Sequence, residues 1–172
     1  MKIIEALKKI KDLQRKASDI KIKISQHCVD LDCDTPTYPD QRKQISEWLQ
    51  SYGDIVKEIL HLRYSIQKTN VATLVTIELG NKQVTKSITE WIYRRKDLAK
   101  MDEEVWGTLT DRGIRDEQKY QVSDKSPALV VRKRLYFDPQ ERDTKRELYR
   151  SEPSKIDATL EIINATTELI ER

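Results

Sequence analysis

The sequence is poor in the residues that interrupt secondary structure. Of its 172 residues, only 4 are glycine and 5 are proline, so few positions force a turn or forbid a helix. Aromatic residues make up 6% of the chain and apolar residues 37%, against 35% charged residues. A compact globule usually has a larger apolar share. The composition therefore favours long elements with narrow apolar faces over a thick core.

Other shortages exclude whole classes of protein. Cys28 and Cys33, with four residues between them in one loop, do not form the disulfide framework of a small secreted protein. No stretch approaches the roughly 18 to 20 consecutive apolar residues of a transmembrane helix, and the charged N-terminal segment lacks the apolar core of a signal peptide. These absences predict a soluble protein without a membrane partner. Its expected location is the cytoplasm, or a virion if a phage encodes it.

Neither sign of charge dominates. The 32 basic and 29 acidic residues give a net charge of +3, which is no reason to expect a polyanionic partner. The clusters Arg94–Lys96 and Arg132–Arg134 have aromatic neighbours, as nucleic-acid sites often do. Nearby carboxylates offer salt bridges as the simpler use of these side chains, so we do not expect a nucleic-acid partner. The carboxylates near the first cluster are Glu90, Asp97, Asp102 and Glu103.

A sustained apolar spacing of three and four residues is the strongest positive signal. It draws a narrow seam along a helix, as in a coiled coil. Because such a seam leaves most of the helix in water, each helix must pair with another. The first seam consists of Ile3, Ala6, Ile10, Leu13, Ala17, Ile20 and Ile24, and the second of Ile45, Trp48, Tyr52, Ile55, Ile59, Leu62 and Ile66.

The few breakers divide the chain into elements. Pro36 and Pro39 separate two long helices, Gly80-Asn81 is a two-residue hairpin signal, and Pro153 should kink or break the last helix. We predict one elongated, mainly α domain over residues 1–172, built on a long antiparallel helical hairpin or coiled-coil bundle with one or two β-hairpins. Its predicted parts are a helical hairpin (1–70), a β-hairpin (73–88), a helix (89–112), a probable second β-hairpin (117–137) and a C-terminal helix (138–171).

Four strings carry a family resemblance. They are MKIIEALKKIKDLQRK at the start, IQKTNVAT from Ile66, SITEWIYRRKDL from Ser87 and IDATLEIINATTEL from Ile156, and they resemble the septicolysin-like family of small bacterial proteins. The sequence departs from the family at Ala165, where the family has Trp, and in a lengthened hairpin around Gly80. The resemblance implies a mostly helical, oligomeric protein and no particular activity. The departures and the high Ile and Lys content also fit a divergent copy carried by a bacteriophage.

The loop between the first two helices concentrates side chains that can bind metals. Its aspartates match the first three ligand positions of a calcium loop, but Thr35 and Gln41 stand where that loop needs Gly and Glu. Cys-x4-Cys is not a common structural zinc spacing. We therefore interpret the segment as a polar connection and predict no cofactor, with metal or ligand binding as the alternative. The weak metal candidates are His27, Cys28, Asp30, Asp32, Cys33 and Asp34.

Two asparagines, Asn70 and Asn164, lie at or beside seam positions. A buried amide costs stability but fixes register and oligomeric state, because a slipped pairing leaves it unsatisfied. We predict this register role for both. The alternatives are surface exposure and a ligand pocket formed with Thr69, Thr73, Thr166 and Thr167. Apolar residues beyond the needs of intrachain pairing are predicted to seal subunit contacts, namely Trp48, Trp91, Trp106 and Leu129–Val131.

No catalytic constellation emerges from the sequence. Neither histidine has a nucleophile in a recognisable setting, and four scattered glycines form no phosphate loop. We predict a non-enzymatic structural or assembly protein that acts through homo-oligomerisation of its helical seams. One alternative is a bacteriophage virion component (connector, tail or decoration subunit) with other virion or assembly proteins as partners. The other is a metal- or ligand-binding protein that uses residues 27–34.

Overall fold

The computed structural model describes residues 1–120, Pro127 and residues 129–170. The chain is mainly helical, with 64% helix and 13% strand, and it contains two small antiparallel sheets. This confirms the prediction of a mainly α chain with β-hairpins. In chain order the elements are α1 (Ile3–His27), α2 (Gln41–Ala72), β1 (Leu74–Leu79), β2 (Lys82–Ser87), α3 (Ile88–Tyr93), a π-helical turn (Arg94–Leu98), α4 (Ala99–Gly107), β3 (Glu117–Tyr120), β4 (Leu129–Arg132) and α5 (Pro139–Thr166).

The two long helices begin at side chains that satisfy their first amides. The Lys2 amide donates to the Glu5 carboxylate over 2.9 Å, and the Lys43 amide donates to the Asp40 carboxylate over 2.9 Å. Such caps replace partners that the first turn of a helix lacks. Residues 28–40, which hold two prolines, are not helical. Both helices therefore lie within about two residues of the positions that the sequence predicts.

The chain divides into two compact units. The first comprises residues 1–75, 87–89 and 159–170. Burial of the α1 seam in this unit changes along the helix: the first four seam residues are at most 7% exposed, and the last three are only half-buried. The buried members are Ile3, Ala6, Ile10 and Leu13, and the half-buried members are Ala17, Ile20 and Ile24.

Contacts between α1 and α2 follow opposite orders along the two helices. Lys9, early in α1, pairs with Glu58 in the second half of α2 over 2.6 Å. His27, the last residue of α1, contacts Trp48 in the second turn of α2, with ring centroids 5.8 Å apart. These contacts therefore join the start of α1 to the second half of α2 and the end of α1 to the second turn of α2.

The segment after α5 pairs with the start of the chain. The predicted helix over 138–171 is too long, because α5 ends at Thr166 and the next residues take partners outside the helix. Residues 171 and 172 lie outside the described part. The bonds run from the Ile3 amide to the Thr167 carbonyl (3.1 Å), from the Leu169 amide to the Met1 carbonyl (2.8 Å) and from the Ile170 amide to the Thr69 hydroxyl (2.9 Å).

The second unit comprises residues 76–86, 90–120, 127 and 129–158. It includes the turn of the β1–β2 hairpin, where Gly80 has a φ of 63° and Asn81 does not have a positive φ. Glycine at the first central position is the pattern of a type II′ turn, which fits the twist of a hairpin. The Thr76 and Thr85 hydroxyls bond across the strands over 2.7 Å. Its buried apolar residues are Ile77, Trp91, Ala99 and Ile156.

The predicted helix over 89–112 ends five residues early, at Gly107. Asp111 explains the difference, because its carboxylate accepts the Gly113 amide over 2.9 Å in a local turn. Such side-chain bonds offer the backbone an alternative to the helix. Arg112 and Gly113 then adopt positive φ values of 56° and 72°, which carry the chain toward β3.

The second hairpin is shorter than predicted. β3 and β4 are antiparallel, with Glu117 opposite Arg132 and Tyr120 opposite Leu129. The predicted strand continuing to Phe137 is wrong, because residues 133–137 are not in a strand. The middle of the predicted hairpin, residues 121–126 and 128, lies outside the described part.

Proline does not break α5. Pro153 lies within the helix, although it removes one backbone bond and crowds the preceding turn. Glu152 and Ile156, on either side of it, are at most 1% exposed, so packing on both sides offsets that cost. The predicted break is wrong for this reason.

Replacing Thr69 with valine tests the bond that holds the end of the described chain. Thr69→Val keeps the shape of a fully buried side chain but leaves the Ile170 amide without its acceptor. We expect a loss of about 1 kcal/mol in the free energy of unfolding, measured by urea denaturation. Thr166→Val is the control, since this exposed hydroxyl bonds only carbonyls of its own helix. Equal losses in the two variants would contradict the assignment.

Candidate functional site

The candidate metal loop does not assemble ligands. His27 instead packs into an aromatic cluster, with its ring centroid 5.4 Å from that of Tyr38 and edge-to-face geometry. Tyr38 makes a similar contact with Trp48 at 5.4 Å. Cys28 and Cys33 are exposed free thiols. Within the described part of the chain, which includes this whole loop, no three His, Cys, Asp or Glu side chains are grouped so that they could hold a metal ion.

The aromatic cluster closes the junction of the two long helices. The Gln41 side chain donates to the carbonyl of His27 over 2.9 Å, so the last turn of α1 and the first turn of α2 are joined. Edge-to-face rings stabilise by about 1 kcal/mol beyond their buried area. Sequence reasoning missed this cluster, although His27, Tyr38 and Trp48 were all visible as large rings next to the loop.

Asn70 is buried without full hydrogen bonding. Its side chain is 8% exposed, and its Oδ1 has no hydrogen-bond partner among the described residues. A buried acceptor without a partner costs about 1–3 kcal/mol. The neighbouring Thr69 hydroxyl is already committed, because it donates to the Ser65 carbonyl and accepts from Ile170. Asn164 is only half-buried, and the register role of both asparagines stays a prediction.

The three tryptophans have different environments. Trp91 is 0% exposed, so it belongs to the core of the chain, and the prediction that it seals a subunit contact is wrong. Trp48 is half-buried in the aromatic cluster, and Trp106 is half-buried in α4. The strand Leu129–Val131 is exposed along its length and stays a candidate for contact with another molecule.

The π-helical turn holds the strongest ionic contact in the second unit. The Arg94 guanidinium bonds both carboxylate oxygens of Glu152, at 2.7 and 2.6 Å, and one oxygen of Asp102 at 2.5 Å. A π turn accommodates one extra residue, so Asp102 lies two turns beyond Arg94 on the same face of the helix. The Tyr149 ring lies 5.7 Å from the guanidinium carbon.

These contacts make Arg94 a structural brace. The hydrogen bonds to Glu152, and then those to Asp102, raise the pKa of the Arg94 guanidinium well above its usual value, although burial opposes the shift. Glu152 is 1% exposed, and a buried carboxylate needs such a partner. Since its Nε, Nη1 and Nη2 atoms all donate to carboxylates, Arg94 has little capacity left to bind an anion. Sequence reasoning found Asp102 as a partner but missed Glu152, which lies 58 residues away.

Two other basic side chains of the clusters also pair with carboxylates. Arg95 pairs with Asp157 over 2.8 Å, and Lys133 pairs with Asp116 over 2.7 Å. Lys133 also holds the pKa of the Asp111 carboxyl below its usual range, after the larger effect of the Gly113 amide. Salt bridging therefore accounts for much of both clusters. Arg132 is the exception, at 3.9 Å from Glu117 and with its side chain 80% exposed.

A second apolar stripe runs along α2, outside the predicted seam. Six large side chains, spaced by three, four or seven residues, fall within about a third of the helix circumference at 100° per residue. They are between 38% and 68% exposed, and we call them the α2 stripe: Leu49, Tyr52, Val56, Leu60, Tyr64 and Val71. Sequence reasoning assigned only Tyr52 to a seam, although the others show the same spacing.

Shallow grooves between α1 and α2 adjoin the stripe. One of about 450 Å³ is lined by Leu7, Ile10 and Ile66, with polar residues around them. Another of about 280 Å³ is lined by Ala17, Tyr52 and Ile59 among others. Tyr52 therefore connects the stripe to a groove on α1, and this face of the pair carries apolar and polar side chains together.

No helix among the described residues is long and apolar enough to cross a bilayer. No protein-family model matches this chain, and no curated protein matches it. One solved structure with a similar fold is a functionally unknown conserved protein from Corynebacterium diphtheriae, at 20% sequence identity and a TM-score of 0.55, over 99% of each chain. This likeness shows the fold alone, and the septicolysin-like resemblance stays a prediction.

Neutralising Glu152 tests the brace. Glu152→Gln keeps the shape of the side chain but leaves Arg94 with Asp102 as its only carboxylate. We expect the free energy of unfolding to fall by about 2–3 kcal/mol, measured by urea denaturation. Asp157→Asn, which removes the exposed partner of Arg95, should cost less than about 0.5 kcal/mol. Similar costs for the two variants would show that Arg94 is no brace.

Replacing Asn70 with leucine tests the register role. Asn70→Leu removes the unsatisfied acceptor, so we expect the free energy of unfolding to rise by about 1 kcal/mol. The distribution of masses in solution should broaden, because an apolar side chain no longer penalises slipped pairings. Gln50→Leu, at an exposed position of α2 outside the α2 stripe, should change neither. A stable Asn70→Leu variant with an unchanged mass distribution, measured by light scattering, would count against the register role.

Proposed function

We propose that this protein is a non-enzymatic structural or assembly protein that acts by self-association. The observation that carries the proposal is the α2 stripe, where six large apolar side chains lie exposed in one line. Single exposed apolar residues are ordinary on protein surfaces, whereas a contiguous patch of this kind marks an interaction site. A second copy of this chain is the occupant that we propose for it.

The area of the face supports this choice. From Leu49 to Val71 the stripe is roughly 33 Å long at 1.5 Å per residue, and two helices are roughly 20–24 Å wide. The face thus covers on the order of 700 Å², close to the roughly 800 Å² that each partner buries in a standard protein interface. Two copies related by a twofold axis would each present the same face.

The finer architecture belongs to the same proposal. We propose that α1 and α2 form an antiparallel coiled-coil hairpin and that the dimer adds the α2 of a second copy. Half-buried seam residues such as Ala17, Ile20 and Ile59 support this arrangement, because two helices alone cover a seam only on one side. The virion role stays a prediction, and the lack of a ligand cluster in residues 27–34 gives the metal alternative no support.

Two lysines in the α2 stripe should strongly weaken self-association. We expect Val56→Lys/Leu60→Lys to weaken it at least about 100-fold, because a twofold contact would then bury four charges without partners. Both positions are exposed, so the helical circular dichroism should stay unchanged. Sedimentation equilibrium measures the dissociation constant.

The matched control is Gln50→Lys/Ser51→Lys, which adds the same charge at exposed positions of α2 outside the stripe. It should associate like the parent chain. A wild-type chain that remains monomeric at high micromolar concentration, or a stripe variant that associates as tightly as the control, would contradict the proposal.

A further inference from the structure

The β3–β4 ribbon carries different chemistry on its two faces. Residues directly opposite each other in an antiparallel pair lie on the same face, and the faces alternate along each strand. Glu117 lies opposite Arg132, and Lys119 lies opposite Val130. The Lys133 amide donates to the Asp116 carbonyl over 2.9 Å, so the alternation continues one step beyond the strands. One face, which we call the positive face, therefore holds Lys119 and Arg132, with Glu117 as its acidic member and Val130 beside them.

The other face of the ribbon is apolar. It holds Tyr120, Leu129 and Val131, which are between 44% and 63% exposed. A two-stranded ribbon without cover is marginal in water, and both of its edges offer unpaired backbone groups to a further strand. The ribbon therefore has the surface and the edge of a docking site for an extended segment.

The loop between α1 and α2 has acidic and apolar side chains that complement the two faces of the β3–β4 ribbon. From Ile24 to Gln41 the sequence has four aspartates and no lysine or arginine. Within it, residues 29–34 read VDLDCD, so apolar and acidic side chains alternate. Val29 and Leu31 are 77% and 69% exposed. In an extended conformation this segment would present valine, leucine and cysteine on one side and three aspartates on the other.

We propose that residues 29–34 of one copy dock along β4 of a second copy, with their apolar side chains beside the apolar face of the ribbon and their aspartates beside the positive face. Charge complementarity and the alternating pattern support this occupant, since Lys119 and Arg132 outnumber the one carboxylate of the face and meet three aspartates. The turn from Leu31 to Asp34, closed by bonds of 3.0 and 3.3 Å, opens on docking. The ribbon supplies backbone partners in exchange.

This contact deepens the proposed self-association, and it rests on that function. It differs from the α2 stripe in its physical basis, because attraction between exposed charges weakens as salt screens them, whereas apolar burial does not. Raising the salt concentration therefore separates the two contacts. In the Val56→Lys/Leu60→Lys background, the remaining association should be weak and sensitive to salt.

Charge exchange gives the decisive test. The ribbon variant is Lys119→Glu/Arg132→Glu, and the tip variant is Asp30→Lys/Asp32→Lys. Measured alone, each variant should show a salt-sensitive association that is at least about tenfold weaker than that of the wild type. The reason is that like charges then meet across the contact. An equimolar mixture should recover it, since acidic ribbons meet basic tips and basic ribbons meet acidic tips. Lys8→Glu/Lys16→Glu, on the exposed side of α1, is the matched control and should behave as wild type.

Zero-length carbodiimide cross-linking locates the contact. In a mixture of ¹⁴N- and ¹⁵N-labelled wild-type chains, Lys119 should couple to Asp30 or Asp32 in peptides that contain one label from each chain. Links within single chains only, or no recovery in the mixture, would overturn the proposal. So would binding of duplex DNA at physiological salt that the ribbon variant loses and the tip variant keeps. Loss of the α2 contact alone leaves the mixed-label link in place, so the two proposals fail separately.

Discussion

The structure depends on the limited cover that a narrow apolar seam receives from one neighbouring helix. The seam residues Ile3, Ala6, Ile10 and Leu13 are buried where residues 167–170 also bond to the chain start and to Thr69. Farther along α1, where α2 is the partner that the contacts identify, the seam is only half-buried. Burial of the α1 seam therefore decreases from the start of α1 to its end. Leaving apolar surface exposed to water costs about 25 cal/mol of free energy per Å². This cost favours binding of any partner that buries the exposed part of the seam.

Local signals determined how much of the fold could be predicted. The helices, both hairpins and the Gly80 turn follow from spacing, prolines and turn residues, which act within a few positions. Two of the errors occurred where a distant group competes with the local one. Residues 167–170 have a helical pattern, but their backbone pairs with residues 1–3, and Pro153 stays within a helix because Glu152 and Ile156 are buried on either side of it.

The candidate surfaces also differ in how far the sequence alone could predict them. The α2 stripe was visible in the sequence, but its residues share the helix with a stronger seam, and spacing alone cannot say which stripe receives cover. The contact between Arg94 and Glu152 was beyond prediction, since nothing in either neighbourhood selects a partner 58 residues away. The π turn that places Asp102 on the same face of the helix as Arg94 is also not signalled by any residue type in the sequence. Trp91 shows the opposite error, because a large ring suggested a contact but lies fully inside the chain.

The two proposed contacts have different consequences for assembly. A stripe that meets its own copy is isologous, so it is satisfied in a closed dimer. A tip that meets a ribbon is heterologous, because the two surfaces are different, and each copy keeps one free tip and one free ribbon until a ring closes or a filament grows. Joined in one chain, the two proposed contacts, one apolar and twofold and the other charged and head-to-tail, would produce extended assemblies whose growth depends on salt. The apolar contact would then set the building unit, and the charged contact would set how far the units extend.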